Sequence, residues 1–185
     1  MNIDKDKFLF MYEQQYFKKL LDAPKKGLLT LLDFIIKDED INNIQHIAYM
    51  LATTFHETAG TWQPIAEYGK GKGRPYSVCD EATGEVYYGR GYVQLTWKDN
   101  YNTMGKILDV DLVNRPDKAM EPQIAYDIMS VGMRKGMFTG VSLKKFINES
   151  GCDYIKARKI INGTDCAEKI AGYAVKFESI LKETV

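Results

Sequence analysis

The feature that most limits how this chain can fold is a break in its periodicity. Between Gly60 and Thr96 the helical spacing of apolar residues stops, and Gly69, Gly71, Gly73, Gly84, Gly89 and Gly91 are concentrated there. The same stretch holds Trp62, Tyr68, Tyr76, Tyr87, Tyr88 and Tyr92, with Trp97 just beyond it. So many aromatics argue against disorder, and a long loop-rich segment inside a compact domain is usually functional when it is ordered. Glu85-Val86-Tyr87-Tyr88 and Tyr92-Val93-Gln94-Leu95-Thr96 have strand character, and Ala82-Thr83-Gly84 is a turn candidate. The expectation is a small, irregular antiparallel sheet or hairpin.

Helical patterns flank this stretch on both sides. Residues from about 4 to 21 carry Phe8, Met11, Tyr12, Tyr16 and Leu20 at helical spacing. Pro24 and Gly27 read as punctuation before a second helix marked by Leu28, Leu31, Leu32, Ile35 and Ile36. A third runs from about 41 to 58, with Ile44, Ile47, Ala48, Leu51 and Phe55 as its apolar stripe. Glu57 falls off that stripe, on the side of Met50, Thr53 and Thr54, so it faces either solvent or a cleft. Helices resume at 98–108, at 123–134, from 141–143 and at 153–161. A last one is expected to be capped by Asp165 with Glu168 as its capping-box partner, burying Ala167, Ile170, Ala171, Ala174, Phe177 and Leu181. The fold class is therefore α+β and mainly α-helical: a single domain over residues 1–185, with a small antiparallel β element in its middle.

Composition narrows the function classes. At 185 residues the chain has the length of one domain and needs no disulfide or metal to fold. Its 25 basic and 25 acidic residues balance, which argues against a partner held by overall charge, such as nucleic acid. The cysteines, Cys79, Cys152 and Cys166, are odd in number and form no CxxC pair, so free thiols in a reducing compartment are expected. The start, Met1-Asn2-Ile3-Asp4-Lys5, shows no signal-peptide pattern, and no stretch reaches transmembrane length, so no stable membrane insertion is expected.

Several motifs can be set aside. His56-Glu57 hints at HExxH, but Gly60 stands where the second histidine belongs. With His46 and His56 as the chain's histidines, no histidine-rich metal site and no metal ligand set is expected. No GxSxG nucleophile motif is present. Gly69-Lys70-Gly71-Lys72-Gly73-Arg74 lacks the phosphate-loop form; it reads as a solvated loop, with contact to an anionic polymer as the other option.

What remains is a pair of carboxylates. Glycosidic hydrolysis needs a proton for the leaving oxygen and a base for the attacking water, and two carboxyl groups supply both. Glu57, at a helix end near Phe55 and Trp62, has the partly apolar setting expected of the acid. Glu67, on a glycine-flanked loop, is the candidate base, with Glu81 and Glu85 as rivals. Arg90, between Gly89 and Gly91, is expected to orient an acidic side chain of the site. Gln94 and Thr96 alternate with Val93 and Leu95, so they share one strand face.

Taken together, these segments resemble the catalytic domain of glycoside hydrolase family 19, the chitinase family that also includes many bacteriophage endolysins. His56-Glu57-Thr58-Ala59-Gly60 resembles its HET-x-G element. Tyr88-Gly89-Arg90-Gly91-Tyr92-Val93-Gln94-Leu95-Thr96 resembles its YFGRGPIQLS-type signature, followed by Asn100-Tyr101. Ile160-Ile161-Asn162-Gly163 resembles its late IING element. The resemblance implies a lysozyme-like fold and inverting chemistry without a cofactor. Glu57 would be the acid and Glu67 the base, and the Thr96 hydroxyl would help hold the water. Gln94, Asn100 and Asn162 would bind substrate or brace the site, and His56, Tyr87, Arg90 and Tyr101, in the same motifs, join them as expected substrate-binding residues. The chain lacks the cysteine pattern of the secreted plant enzymes. A phage or prophage endolysin is therefore expected, made in the host bacterial cytoplasm, dependent on a holin for release and acting as a monomer on peptidoglycan glycan strands. The alternatives are a chitinase, a non-catalytic glycan-binding protein and a lytic transglycosylase.

Overall fold

The described residues of the computed structural model are 1–16 and 19–185, and of residues 15 and 16 only the backbone. Residues 17 and 18, and the Tyr16 side chain expected in the core, lie outside them, while residues 19–21, expected to close the first helix, are not helical. The architecture is mainly helical. Helices α1 (Lys5–Tyr16), α2 (Asp22–Lys37) and α3 (Ile44–Glu57) precede the irregular stretch, and α4 (Lys98–Leu108), α5 (Pro122–Lys135), α6 (Leu143–Phe146), α7 (Tyr154–Ala157) and α8 (Ala167–Thr184) follow it. Among the described residues, four two-residue strands make two small antiparallel pairs: β1 (Ile65–Ala66) with β2 (Arg90–Gly91), and β3 (Ile147–Asn148) with β4 (Gly151–Cys152).

α3 is the centre of the core. It starts where the Asn43 side chain accepts from the Gln45 and His46 amides, three residues later than expected. Its residues 46–54 are all buried, polar ones included, because α8 packs along one side and α5 lies against another. Thr54 Oγ1 donates to Met129 Sδ of α5 at 3.1 Å. The side carrying Met50, Thr53 and Thr54 therefore meets protein rather than water. A helix buried all round hides its stripe, which is why periodicity alone left the setting of Glu57 open.

The way α3 ends places Glu57. The Gly60 amide donates to the Phe55 carbonyl at 2.8 Å and the Ala59 amide to the His56 carbonyl at 3.1 Å. This is a Schellman closure, with Ala59 at φ 51° in the left-handed position that glycine usually takes. Glu57 is thus the last helical residue, and the chain turns away immediately after it.

Four local expectations are corrected. Pro24 and Gly27 do not punctuate: both lie inside α2, Pro24 in its first turn, where a missing amide proton is harmless. Gly27 is there for close approach, since an added Cβ would sit 2.4 Å from the Trp62 carbonyl oxygen. Residues 85–88 form no strand; β2 pairs instead with β1, and an isolated bridge joins Arg90 to Leu95. Gln94 at φ 55° sits in a turn, so it does not share a strand face with Thr96. Asp165 does not cap α8: that helix begins after Cys166 at φ 56°, without a side-chain cap.

Candidate active site

A cleft of about 930 Å³ opens beside the end of α3. Two strips of chain line it. One is built around Glu67, with Tyr76 and residues 89, 93–97 and 100; the other comprises residues 138, 139, 141, 159 and 161–164. Glu57 lines the same cleft and is tied to the second strip through Arg158.

Glu57 is 16% exposed, and its Oε1 accepts from Arg158 Nη1 at 2.7 Å. Arg158 is 3% exposed and lies in the 3-10 helix Arg158–Ile160, where its Nε also donates to the Asp165 carbonyl at 3.0 Å. This corrects the expected setting of Glu57. Phe55 and Trp62 turn to the other side of α3, into an aromatic cluster with Phe177, and the group that meets Glu57 is a guanidinium. Oε2 has no protein partner among the described residues, so one oxygen is fixed while the other is available to the cleft. His56 stays below the ordinary histidine range because it is buried, an effect Arg158 and Lys169 reinforce and the Glu57 charge opposes.

Glu67 is held by both oxygens. The Tyr76 hydroxyl donates to Oε1 at 2.7 Å and the Gly89 amide donates to Oε2 at 3.1 Å. Its own amide donates to the Gly89 carbonyl at 2.7 Å, extending the β1–β2 pairing by one step. Burial, followed by the hydrogen bond and charge of Glu67, pushes the Tyr76 phenol up, so it remains a donor. Trp97, half-exposed, packs edge-on against Tyr76 with ring centroids 5.4 Å apart.

Of the other expected residues, Gln94, Thr96, Asn100 and Asn162 line the cleft. Gln94 Nε2 donates to the carbonyls of Ile65 and Gly91, and Asn100 Nδ2 to that of Thr96 at 2.9 Å. Asn162 Oδ1 accepts from the Gly163 amide. The Thr96 hydroxyl has no protein partner among the described residues. His56, Tyr87, Arg90 and Tyr101 do not line the cleft, and neither do Glu81 and Glu85.

Arg90 braces the loop rather than a site carboxylate. Nη1 donates to the carbonyls of Val86 and Tyr88 and to the Tyr101 hydroxyl, Nε pairs with Asp117 at 2.8 Å, and the guanidinium lies 3.6 Å from the Tyr88 ring centroid. Tyr101 returns a hydrogen bond to the Tyr88 carbonyl at 2.7 Å, and Tyr87 donates to the Val113 carbonyl. These three residues therefore hold the backbone from which Glu67 and Thr96 are presented.

Sequence reasoning missed Arg158, Tyr76 and Lys159. Arg158 left a trace, as an arginine at helical spacing with the apolar Tyr154, Ala157 and Ile161. Phe138 and Thr139, from the turn after α5, left none. Among the described residues no group of three or more His, Cys, Asp or Glu is placed to hold a metal ion. The arrangement suits proton transfer: a carboxyl group with a free oxygen, a second carboxylate held by two donors, and an unpartnered hydroxyl, all on one cleft.

Comparison with known proteins agrees with this frame. The profile of the Chitinase class I family, glycoside hydrolase family 19, matches residues 29–132. Endochitinase A2 of Pisum sativum is 34% identical over 119 residues, covering 57% of this chain and 37% of the relative. A basic endochitinase of Vitis vinifera is 40% identical over 87 residues, covering 40% and 28% respectively. The matched part thus spans about a third of the length of these curated relatives. Among solved structures, chitinase C from Streptomyces griseus HUT6037 superposes with a TM-score of 0.65 at 22% identity, over 97% of this chain and 92% of that one. The class IV chitinase of Zea mays gives 0.55 at 18%, over 95% and 90%. These two likenesses concern the fold, which is the lysozyme-like, mainly helical one. With more than half of its length matched by the family profile, the chain belongs to glycoside hydrolase family 19, the class I chitinase family.

Proposed function

We propose that this chain is a glycosidase that hydrolyses the glycan strands of peptidoglycan by single displacement. The observation that carries the reading is the placement of Glu57 and Glu67 on one cleft, each held by different partners. Glu57 protonates the leaving oxygen through Oε2 while Arg158 fixes Oε1. Glu67, kept in place by Tyr76 and the Gly89 amide, takes the proton of the attacking water, and the Thr96 hydroxyl positions that water. No covalent intermediate forms, and the anomeric configuration inverts.

The three unpaired cysteines fit a protein folded in a reducing compartment. That supports a lysin made in a bacterial host cytoplasm and released onto the wall, with a holin as the release route and a monomer as the acting form. A second reading, chitin as substrate, is favoured by the relatives, which are endochitinases.

Incubation with purified peptidoglycan and, in parallel, with chitin oligomers distinguishes the two, with new reducing ends read by mass spectrometry. Fragments ending in reducing muramic acid are expected. Cleavage of chitin alone selects the second reading, and binding without cleavage of either polymer overturns the glycosidase.

A further inference from the structure

The charged lining of the cleft consists of Glu57, Glu67 and Lys159. Arg158 is behind Glu57 and committed to it. Lys159 is exposed, and among the described residues no carboxylate lies within ion-pair distance of its ammonium. Its backbone, by contrast, is anchored: Thr139 Oγ1 donates to the Lys159 carbonyl at 2.6 Å and lies 3.2 Å from that of Ile160. A fixed anchor with a free, flexible stem is suited to meeting a charge that arrives with the substrate.

A neutral polymer of N-acetylglucosamine brings no such charge. A strand with an acidic substituent on alternate sugars does, and Lys159 is the cation that lines the cleft it enters. Three further cations follow Glu67 in the chain. Lys72 and Arg74 are exposed and have no ion-pair partner among the described residues, and Lys70 lies over the Tyr88 ring at 5.9 Å. None of the three lines the cleft.

We propose that Lys159 is a carboxylate-binding subsite that reads the acidic substituent of muramic acid and so sets the preference of this cleft for wall glycan over chitin. The carboxylate is either that of the lactyl arm or that of an acidic residue in the stem peptide attached to it. The proposal rests on the glycosidase reading above and adds the group that is recognised.

The test measures KM for wild type, Lys159→Gln and Lys159→Arg on four substrates. These are wall glycan stripped of its stem peptides, with free lactyl carboxylates; strands with intact stems; and the methyl ester of each. Wild type is expected to show a KM about tenfold lower on free-acid strands than on their esters, the ratio that ~1.4 kcal/mol from one charge-assisted hydrogen bond produces. Lys159→Arg keeps that ratio, and Lys159→Gln brings it to near one. Because the ratio is taken within each variant, a general loss of activity does not imitate this result. If the ratio collapses only on strands with intact stems, the carboxylate is that of the peptide; if on stripped strands, it is the lactyl one. A wild-type ratio retained in Lys159→Gln, or no preference in wild type on either carboxylate-bearing substrate, overturns the subsite and leaves the glycosidase standing. A wild type that cleaves no wall glycan at all overturns the glycosidase reading and the subsite with it.

Discussion

Arg158 and Glu57, 101 residues apart in the chain, meet at 2.7 Å at the edge of the cleft. The contact joins the end of α3 to the segment leading into α8, and it fixes one oxygen of the proposed acid. Loss of that constraint should act on turnover more than on substrate affinity. Arg158→Gln is expected to lower kcat by roughly ten- to a hundredfold, the range that loosened positioning of a reacting group produces, with KM nearly unchanged. Arg158→Lys should fall between, because an ammonium lacks the planar fork that also reaches the Asp165 carbonyl. Steady-state kinetics on one soluble strand substrate checks both.

Gly89 packs against both Glu67 and Gln94. A Cβ there would lie 2.9 Å from Gln94 Oε1 and 3.3 Å from Glu67 Cβ. Gly89→Ala is expected to push Glu67 and Gln94 out of place and to lower kcat about tenfold, with a stability loss of only ~1 kcal/mol because both neighbours are side chains that can shift. Equal activity in the variant would show that the Glu67 position is less constrained than the geometry implies.

Arg90 makes the opposite prediction. Its guanidinium is 3% exposed and satisfies two carbonyls and a tyrosine hydroxyl. Arg90→Lys should destabilise the fold by roughly 2 kcal/mol, or ~4–8 °C in Tm, through the buried acceptors it leaves unpaired. Asp117, largely exposed, adds little to that figure. Thermal denaturation should show the loss, and activity at low temperature should largely survive.

How much of this was legible varies with the kind of contact involved. Glu57 and Glu67 stood out because short motifs surround them, and the helices because their apolar faces repeat. Arg90 was visible as unusual between two glycines, but its role was not, since sequence cannot show that the Val86 and Tyr88 carbonyls turn to a side chain instead of a neighbouring strand. The same fact explains the missing strand at 85–88. Gly27 reads as a break in the sequence because a helical glycine selected for close packing looks no different from one that ends a helix. Arg158 was passed over because its partner is over a hundred positions away.

The histidines set a pH dependence of stability. Burial holds His46 below its ordinary value despite the 2.9 Å hydrogen bond to the Ile147 carbonyl, and burial likewise lowers His56. With folded values below the unfolded one of about 6.5, the unfolded chain binds more protons in the interval between them. Stability is therefore full above that pH and is lost as pH falls through the lowered values. Denaturant midpoints between about pH 7 and 5.5 should decline toward acid, and His46→Gln should flatten the slope. A midpoint that rises toward acid over that range would reverse the sign.

The central claim is that Glu57 and Glu67 share one reaction. It is tested most directly by hydrolysis of wall glycan strands by Glu57→Gln and Glu67→Gln, with Tm and strand binding measured on the same samples. Both variants should melt within a few degrees of wild type and retain strand binding. Glu57→Gln should release no detectable reducing ends, and Glu67→Gln should lose at least about a hundredfold in rate. Wild-type hydrolysis by either folded variant would contradict the assignment of its carboxylate.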